Sequence, residues 1–344
     1  MGTAIGELLP RQEIRLEAFA NKTIAVDAFN TLYQFLSALR SADGSLLTDR
    51  QGNVTSHLNG LLTRCVALLE KNIRLVFVFD GIAPALKEQE KAKRQQLKQQ
   101  AAARYQQAVE EEDLASMAKY SARTVTMTEQ ILTDAKRLLA GLGIPSVDAP
   151  SEGEAQAAAL LAHGHVDAIA SQDYDALLFG ADVIVRNLAV SPRKKKPGAY
   201  AYERLHPERI DKHAVLAHLG ISHRQLIALA LLVGTDFNPG GIKGIGPQKA
   251  LKLVKAHGED FSSLFAAVSW DRYFPYPWEE VYALFLHMPV HSDVQLVFGK
   301  PDEQAVLTFL CDERDFSKER VFSELQKLSA AAQKPKQKGL ADFF

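Results

Sequence analysis

The sequence predicts an α/β fold in which a central, mostly parallel sheet is flanked by helices, and three observations carry that reading. Two short apolar runs, Ile24-Ala-Val-Asp27 and Leu75-Val-Phe-Val-Phe-Asp80, have strand-like composition and each end in a carboxylate. A helical spacing of apolar residues from Leu58 to Leu69 lies between them. The resulting order of strand, helix, strand is the unit of a parallel sheet covered by helices. Val166-Asp-Ala-Ile-Ala-Ser-Gln-Asp173 repeats the apolar run with terminal acids.

The remaining elements follow in order. Pro84 to about Thr124 is dominated by Lys, Gln, Ala and Glu. It reads as a solvent-exposed helical insertion, and a helix without an apolar face bridges something or awaits a partner. Thr126-Met-Thr-Glu129 has the spacing of a capping box opening a helix through Leu139, ended by Gly141, Gly143 and Pro145. Ser191 to Gly198 is a basic exposed loop whose two prolines should deny it regular structure. A helix spans Ser222 to Val233, and after about Lys327 a polar composition predicts a disordered tail. The expected organisation is a core over 1–213 with the insertion at about 84–124, a helical region over 214–326, and a tail over 327–344.

Composition narrows the function classes. The chain has 344 residues, 47% hydrophobic, enough for a sizeable core and a soft expectation of about two domains. Its 40 Lys and Arg against 41 Asp and Glu give a net charge of -1, which taken alone argues mildly against a nucleic-acid partner. Cys65 and Cys311 match neither a disulfide framework nor a zinc site. The longest apolar run, Leu226 to Val233, is far shorter than the roughly 20 residues of a membrane span. With no signal peptide, the expectation is a soluble intracellular protein without a membrane partner. The Met-Gly opening is not a myristoylation site, because Gly6 stands where Ser or Thr is needed.

The chemistry resides in acids at element ends. In parallel α/β sheets the carboxyl ends of strands face the ligand crevice, so Asp27, Asp80 and Asp173 should converge. If the backbone stays extended, Asp175 projects from the same face as Asp173. Glu152 and Glu154 open an Ala-rich helix, and Asp236 follows the apolar helix. Singly, each has a bland reading. An Asp after a strand is often a turn residue or cap, and Ser151 with Glu154 is itself a capping box. Together, seven carboxylates with no Lys or Arg obviously beside them would repel one another unless cations intervene. Oxygen-only ligands select hard cations, with two Mg²⁺ expected and Mn²⁺ an alternative, and such ion pairs serve phosphodiester hydrolysis.

Two phosphate grips accompany the acids. Asn238 to Ala250 contains Lys243, Gly244-Ile-Gly246, Pro247, Lys249 and Lys252. This is a helix, Gly-rich hairpin, helix unit suited to a DNA backbone, because amides at a helix N-terminus bind phosphate. Its bland alternative is a capped helix turn; K⁺ on its carbonyls is a further expectation. Lys87, Lys91, Arg94 and Lys98 form a stripe on one helix face just after Asp80. The stripe is either a solvated face or a charge clamp over the crevice, where Lys87 and Arg94 would neutralise the scissile phosphate. Tyr33 is either a stacking partner for a nucleobase or a half-buried aromatic. Gln337, Leu340, Phe343 and Phe344 end the tail as one helical turn with a hydrophobic plug, a helix-in-groove anchor.

These residues strongly resemble the flap endonucleases of the structure-specific 5′-nuclease superfamily, archaeal ones in particular. The likeness runs through Val26-Asp-Ala, Val-Phe-Asp80-Gly, Ser-Glu152-Gly-Glu154-Ala, Ser-Gln-Asp173-Tyr-Asp175 and Gly-Thr-Asp236 to the tail. It implies a PIN-like 5′-nuclease fold with a helical arch and a helix-three-turn-helix. It assigns Asp27, Asp80, Glu152, Glu154, Asp173, Asp175 and Asp236 as two-metal ligands, Lys87 and Arg94 as the basic pair of the arch, and Tyr33 as the stacking tyrosine. Gln337 to Phe344 matches the PCNA-interacting motif. The implied activity is 5′-flap endonuclease and 5′–3′ exonuclease action on branched DNA in Okazaki-fragment maturation and base excision repair, by a monomer in an archaeal cytoplasm. The alternatives are a non-catalytic clamp-bound DNA scaffold and a Mg²⁺-dependent phosphatase of small phosphates.

Overall fold

The computed structural model describes residues 3–41, 44–111, 113, 120, 124–189, 193–195 and 202–333. Its strands are β1 (Gln12–Glu13), β2 (Thr23–Asp27), β3 (Arg74–Phe79), β4 (Ser146–Asp148), β5 (Ala168–Ala170), β6 (Val183–Arg186), β7 (Arg193–Lys195), β8 (Tyr202–Arg204) and β9 (Glu208–Asp211). Seven of them form one sheet in the order β1-β9-β6-β5-β2-β3-β4. The four central pairings, from β4 through β3, β2 and β5 to β6, are parallel, and β9 runs antiparallel to both β6 and β1.

The described helices are α1 (Ala28–Ala38), α2 (Ser56–Leu69), α3 (Glu88–Glu110), α4 (Glu129–Gly141), α5 (Gly153–Ala162), α6 (Asp175–Leu178), α7 (Lys212–Leu219), α8 (His223–Val233), α9 (Pro247–His257), α10 (Phe261–Ala267), α11 (Trp278–His287), α12 (Glu303–Leu307) and α13 (Lys318–Gln333). Strand alternation divides the core. Ala25, Val76 and Val78 face the side covered by α5 and α8, whereas Ile24, Val26, Leu75, Phe77 and Phe79 face the side covered by α2, α4 and α13. Because both faces are covered, β2 and β3 read as unbroken apolar runs. No single helix among the described residues is long and apolar enough to cross a membrane.

Local expectations change in three places. The cap of α4 is Thr128, whose hydroxyl accepts from the Ile131 amide at 3.3 Å, while Thr126 donates to the Thr124 carbonyl instead. The later start leaves Val125 outside the helix and buried with Leu36 and Ile131. β5 ends at Ala170 and the chain turns, so Asp175 opens α6 rather than continuing an extended segment from Asp173. Within the basic loop, Arg193–Lys195 pairs antiparallel with β8, since Pro192 and Pro197 flank those three residues without interrupting them.

The insertion forms a helix over Glu88–Glu110, with Ala101 and Ala108 buried. The tail anchor Gln337, Leu340, Phe343 and Phe344 lies outside the described residues.

Candidate active site

The carboxyl ends of the parallel strands open into one cleft of about 2630 Å³, lined by Asp27, Asp80, Glu152, Glu154, Asp173, Asp175 and Asp236. Tyr33, Lys87, Arg94 and Lys98 line it too. Topology explains the convergence: β2, β3 and β5 run parallel and adjacent, so the acids that follow them emerge on one side. Asp27 also caps α1, accepting from the Asn30 amide at 3.0 Å. Asp80 accepts from the Gly153 amide at 2.7 Å, and Asp175 from the Thr3 amide at 2.8 Å.

The capping box suggested by Ser151 and Glu154 does not form. Ser151 donates to the Ile82 carbonyl at 2.9 Å, and Glu154 turns to the Ser171 hydroxyl at 3.0 Å. Glu152 occupies the cap position of α5 without a side-chain capping bond.

The expectation that no basic residue stands beside the acids is overturned. Lys87 Nζ lies 2.5 Å from Glu152 Oε2 and 3.7 Å from Asp236 Oδ2. Arg94 spans Asp236 Oδ2 at 2.8 Å and Glu90 Oε1 at 2.7 Å. The turn carrying Lys87 and the start of α3 fold over the cleft, joining residues 65 positions apart for Lys87 and 142 for Arg94. Lys98 sits 5.4 Å from the centre of the Tyr33 ring and donates to its hydroxyl at 3.4 Å.

Electrostatics divide the acids into two groups. Burial, then the neighbouring charge of Asp80, pushes Asp27 up to about 7. Burial, then Asp236, pushes Asp175 up to about 6. Burial and the nearby Asp175, Asp27 and Asp173 carry Glu154 well above the usual carboxylate range. No lysine or arginine offsets any of these three among the described ion pairs. Glu152 is also raised, because burial outweighs its pairing with Lys87. For Lys87, burial alone would lower the pKa, but Glu152, Asp236 and Asp80 raise it overall.

Among the described residues, no three His, Cys, Asp or Glu side chains gather as a ready ligand set for one ion. Lys87 and Arg94 pair with Glu152 and Asp236, and Ser171 stands between Asp27 and Glu154. The donor set nevertheless fits hard divalent cations: all its donors are oxygens, they line one cleft, and Asp27, Glu154 and Asp175 are uncompensated by protein cations among the described ion pairs.

Several cleft residues are not apparent from motif reading. Asn30 Nδ2 donates to Asp173 Oδ2 at 3.0 Å, and Gln34 in turn donates to Asn30. Ser171 touches Asp27, Glu154 and the Asp173 amide. Arg64, Arg186 and Arg320 also line the cleft. The only local signal was position: Asn30 one turn after Asp27, and Ser171 two residues before Asp173.

The hairpin lies apart from the cleft. Gly246 caps α9, Pro247 is its first residue, and Gly244 has φ +81°, a conformation that favours glycine. A side chain at Gly244 or Gly246 would meet nothing within 4 Å, so the backbone there is open to a ligand. Lys243, Lys249 and Lys252 are exposed.

The profile of the XPG N-terminal domain matches residues 5–101, and that of the XPG I-region matches residues 143–236. Flap endonuclease 1 of Thermococcus onnurineus is 45% identical over 344 residues, covering 100% of this chain and 99% of that relative. The chain belongs to the flap endonuclease 1 family. Members of this family are nucleases, and the chain is accordingly a metal-dependent phosphodiester hydrolase. Its fold agrees with family structures. The solved flap endonuclease-1 from Methanococcus jannaschii has a TM-score of 0.74 and 37% identity, covering 96% of this chain and 98% of that one. The catalytic core of Rad2 in complex with DNA substrate has a TM-score of 0.68 and 26% identity, over 94% of this chain and 97% of that one.

Proposed function

We propose that this flap endonuclease-family chain cuts branched DNA near the junction of a 5′ single-stranded flap, trims 5′ ends as an exonuclease, and serves Okazaki-fragment maturation and base excision repair. The observation that carries the reading is a single cleft lined by seven acids together with Lys87 and Arg94. Two Mg²⁺, replaceable by Mn²⁺, are the cofactors assigned to it, with Asp27, Asp80, Glu152, Glu154, Asp173, Asp175 and Asp236 as their holders. Such cations supply positive charge to the attacked phosphate and the leaving oxygen. Lys87 and Arg94 pair with Glu152 and Asp236, and in this reading they give those hydrogen bonds to the scissile phosphate when it enters. Tyr33 offers a face to a flap base, and α3 encloses the single strand.

Lys243, Gly244, Gly246, Lys249 and Lys252 grip the duplex backbone, with K⁺ as the ion assigned to the hairpin carbonyls. Gln337, Leu340, Phe343 and Phe344 tether the enzyme, acting as a monomer in an archaeal cytoplasm, to the sliding clamp PCNA. The organisation proposed is a nuclease core over 1–213, a DNA-gripping helical region over 214–326, and a clamp-binding tail.

Incubation with a 5′-flap substrate and Mg²⁺, beside Asp173→Ala, tests the assignment. The expected result is cleavage by the parent and a loss of at least about 10²-fold in the variant, the scale of removing one group that stabilises transition-state charge. Equal cleavage by both would remove the site from consideration, and no metal-dependent cleavage by the parent would leave a DNA-binding scaffold.

A further inference from the structure

Ser171 lies between β5 and α6 and is 4% exposed. Its hydroxyl oxygen stands 3.1 Å from Asp27 Oδ2 and 3.0 Å from Glu154 Oε1, and it accepts from the Asp173 amide at 3.2 Å. Asp27 belongs to the end of β2, Glu154 to the first turn of α5, and Asp173 to the turn after β5. Among the described hydrogen bonds, Ser171 alone reaches all three.

A serine hydroxyl has one proton to donate and two lone pairs. With the Asp173 amide directed at one lone pair, the hydroxyl can donate to Asp27 or to Glu154, not to both. The other carboxylate is held at short range from an oxygen that does not bond it while both acids are ionised. A divalent cation held by these acids would supply the positive charge that the second carboxylate lacks, leaving the Ser171 hydroxyl to donate to the first.

We propose that Ser171 is a positioning residue of the metal centre: its hydroxyl fixes how Asp27 and Glu154 stand relative to each other and anchors the turn that delivers Asp173. The proposal rests on the metal-nuclease reading above. Its energetic basis is that hydrogen bonds behind ligating carboxylates orient them, and losing such a bond weakens metal binding by about 10–100-fold. Asn30 holds one oxygen of Asp173 with its side chain and one of Asp27 with its backbone amide, whereas the Ser171 hydroxyl by itself stands beside both Asp27 and Glu154.

The test is Mn²⁺ binding to the full-length protein without DNA, followed by electron paramagnetic resonance, for the parent, Ser171→Ala, Ser171→Cys and Ser171→Thr. Circular dichroism and thermal melts establish that each variant is folded. Ser171→Ala should bind Mn²⁺ at least about 10-fold more weakly, and Ser171→Thr, which keeps the hydroxyl, should regain parental affinity. Ser171→Cys, nearly isosteric with a weaker donor, should fall between, and it decides the matter if the alanine variant does not fold. In flap cleavage, kcat at fixed low Mn²⁺ should fall for Ser171→Ala and recover at high Mn²⁺, with KM for DNA unchanged. Parental Mn²⁺ affinity in a folded Ser171→Ala or Ser171→Cys protein overturns the proposal. Because binding is read without DNA, a parent protein that binds Mn²⁺ yet cuts no flap would overturn the function and leave the Ser171 result intact.

Discussion

His57, near the start of α2, is fully buried, and among the described residues neither ring nitrogen finds a hydrogen-bond partner. Burial, against the attraction of Asp134 and with repulsion from Arg314, holds its pKa at about 4 instead of 6.5. The unfolded chain therefore binds more protons between those values. The contribution of this residue to stability is full above about pH 6.5 and is lost as pH falls to about 4, a change of up to about 3 kcal/mol. The cleft acids act in the opposite sense. With Asp27 raised to about 7 and Asp175 to about 6, their ionisation destabilises the metal-free fold as pH rises through those values. Denaturant melts at pH 7 and pH 5, with parent and His57→Gln compared, separate the two. The variant should lose less stability on acidification than the parent, and parallel pH profiles would exclude the assignment to His57.

At the scale of elements, close packing sets what each piece tolerates. A Cβ at Gly81 would stand 2.0 Å from the Ala149 carbonyl oxygen, and that loop also receives the Gly81 amide through Ser151. Gly81→Ala should cost about 1–3 kcal/mol through backbone displacement and, by moving Asp80, reduce cleavage as well. Thermal melts and single-turnover rates check both effects.

Asp134 on α4 is 2% exposed and receives two hydrogen bonds from Arg314, tying α4 to the segment before α13. Asp134→Ala strands a largely buried guanidinium, and equilibrium unfolding should report a loss of about 3–5 kcal/mol. For the hairpin, Lys249→Ala with Lys252→Ala should weaken DNA binding and reduce the slope of log K against log salt by about 0.9 for each phosphate that is no longer neutralised. Fluorescence anisotropy over a salt series measures it, and an unchanged slope would place those lysines off the DNA.

Over the whole molecule, a net charge of -1 conceals a strong internal polarity. Acids concentrate in the cleft, and lysines stand exposed on the hairpin. Divalent cations that bind the folded cleft and not the unfolded chain must raise the melting temperature in a concentration-dependent way. Mg²⁺ against chelator should show that increase in the parent, with a smaller one in Asp173→Ala. Deleting residues 337–344 should abolish binding to the sliding clamp and leave unstimulated flap cleavage at the parental rate; undiminished clamp affinity in a pull-down would place the anchor elsewhere.

The α/β class and the acid set were legible from residue order, because β2 and β3 are covered on both faces and the acids that follow β2, β3 and β5 emerge on one side of a parallel sheet. The Gly-rich hairpin was legible for the same local reason: Gly244 and Pro247 each have a conformational role that few other residues can take. The pairing of Lys87 with Glu152 and of Arg94 with Asp236 emerged only from the folded chain. So did the meeting of Asn30 with Asp173, and the place of Ser171 between Asp27 and Glu154. Those pairings join residues 17 to 144 positions apart. The helix that carries Arg94 has no continuous apolar face from which its docking could be inferred. Polar side chains carry little periodic signal, so which acid meets which cation is settled where the chain crosses itself.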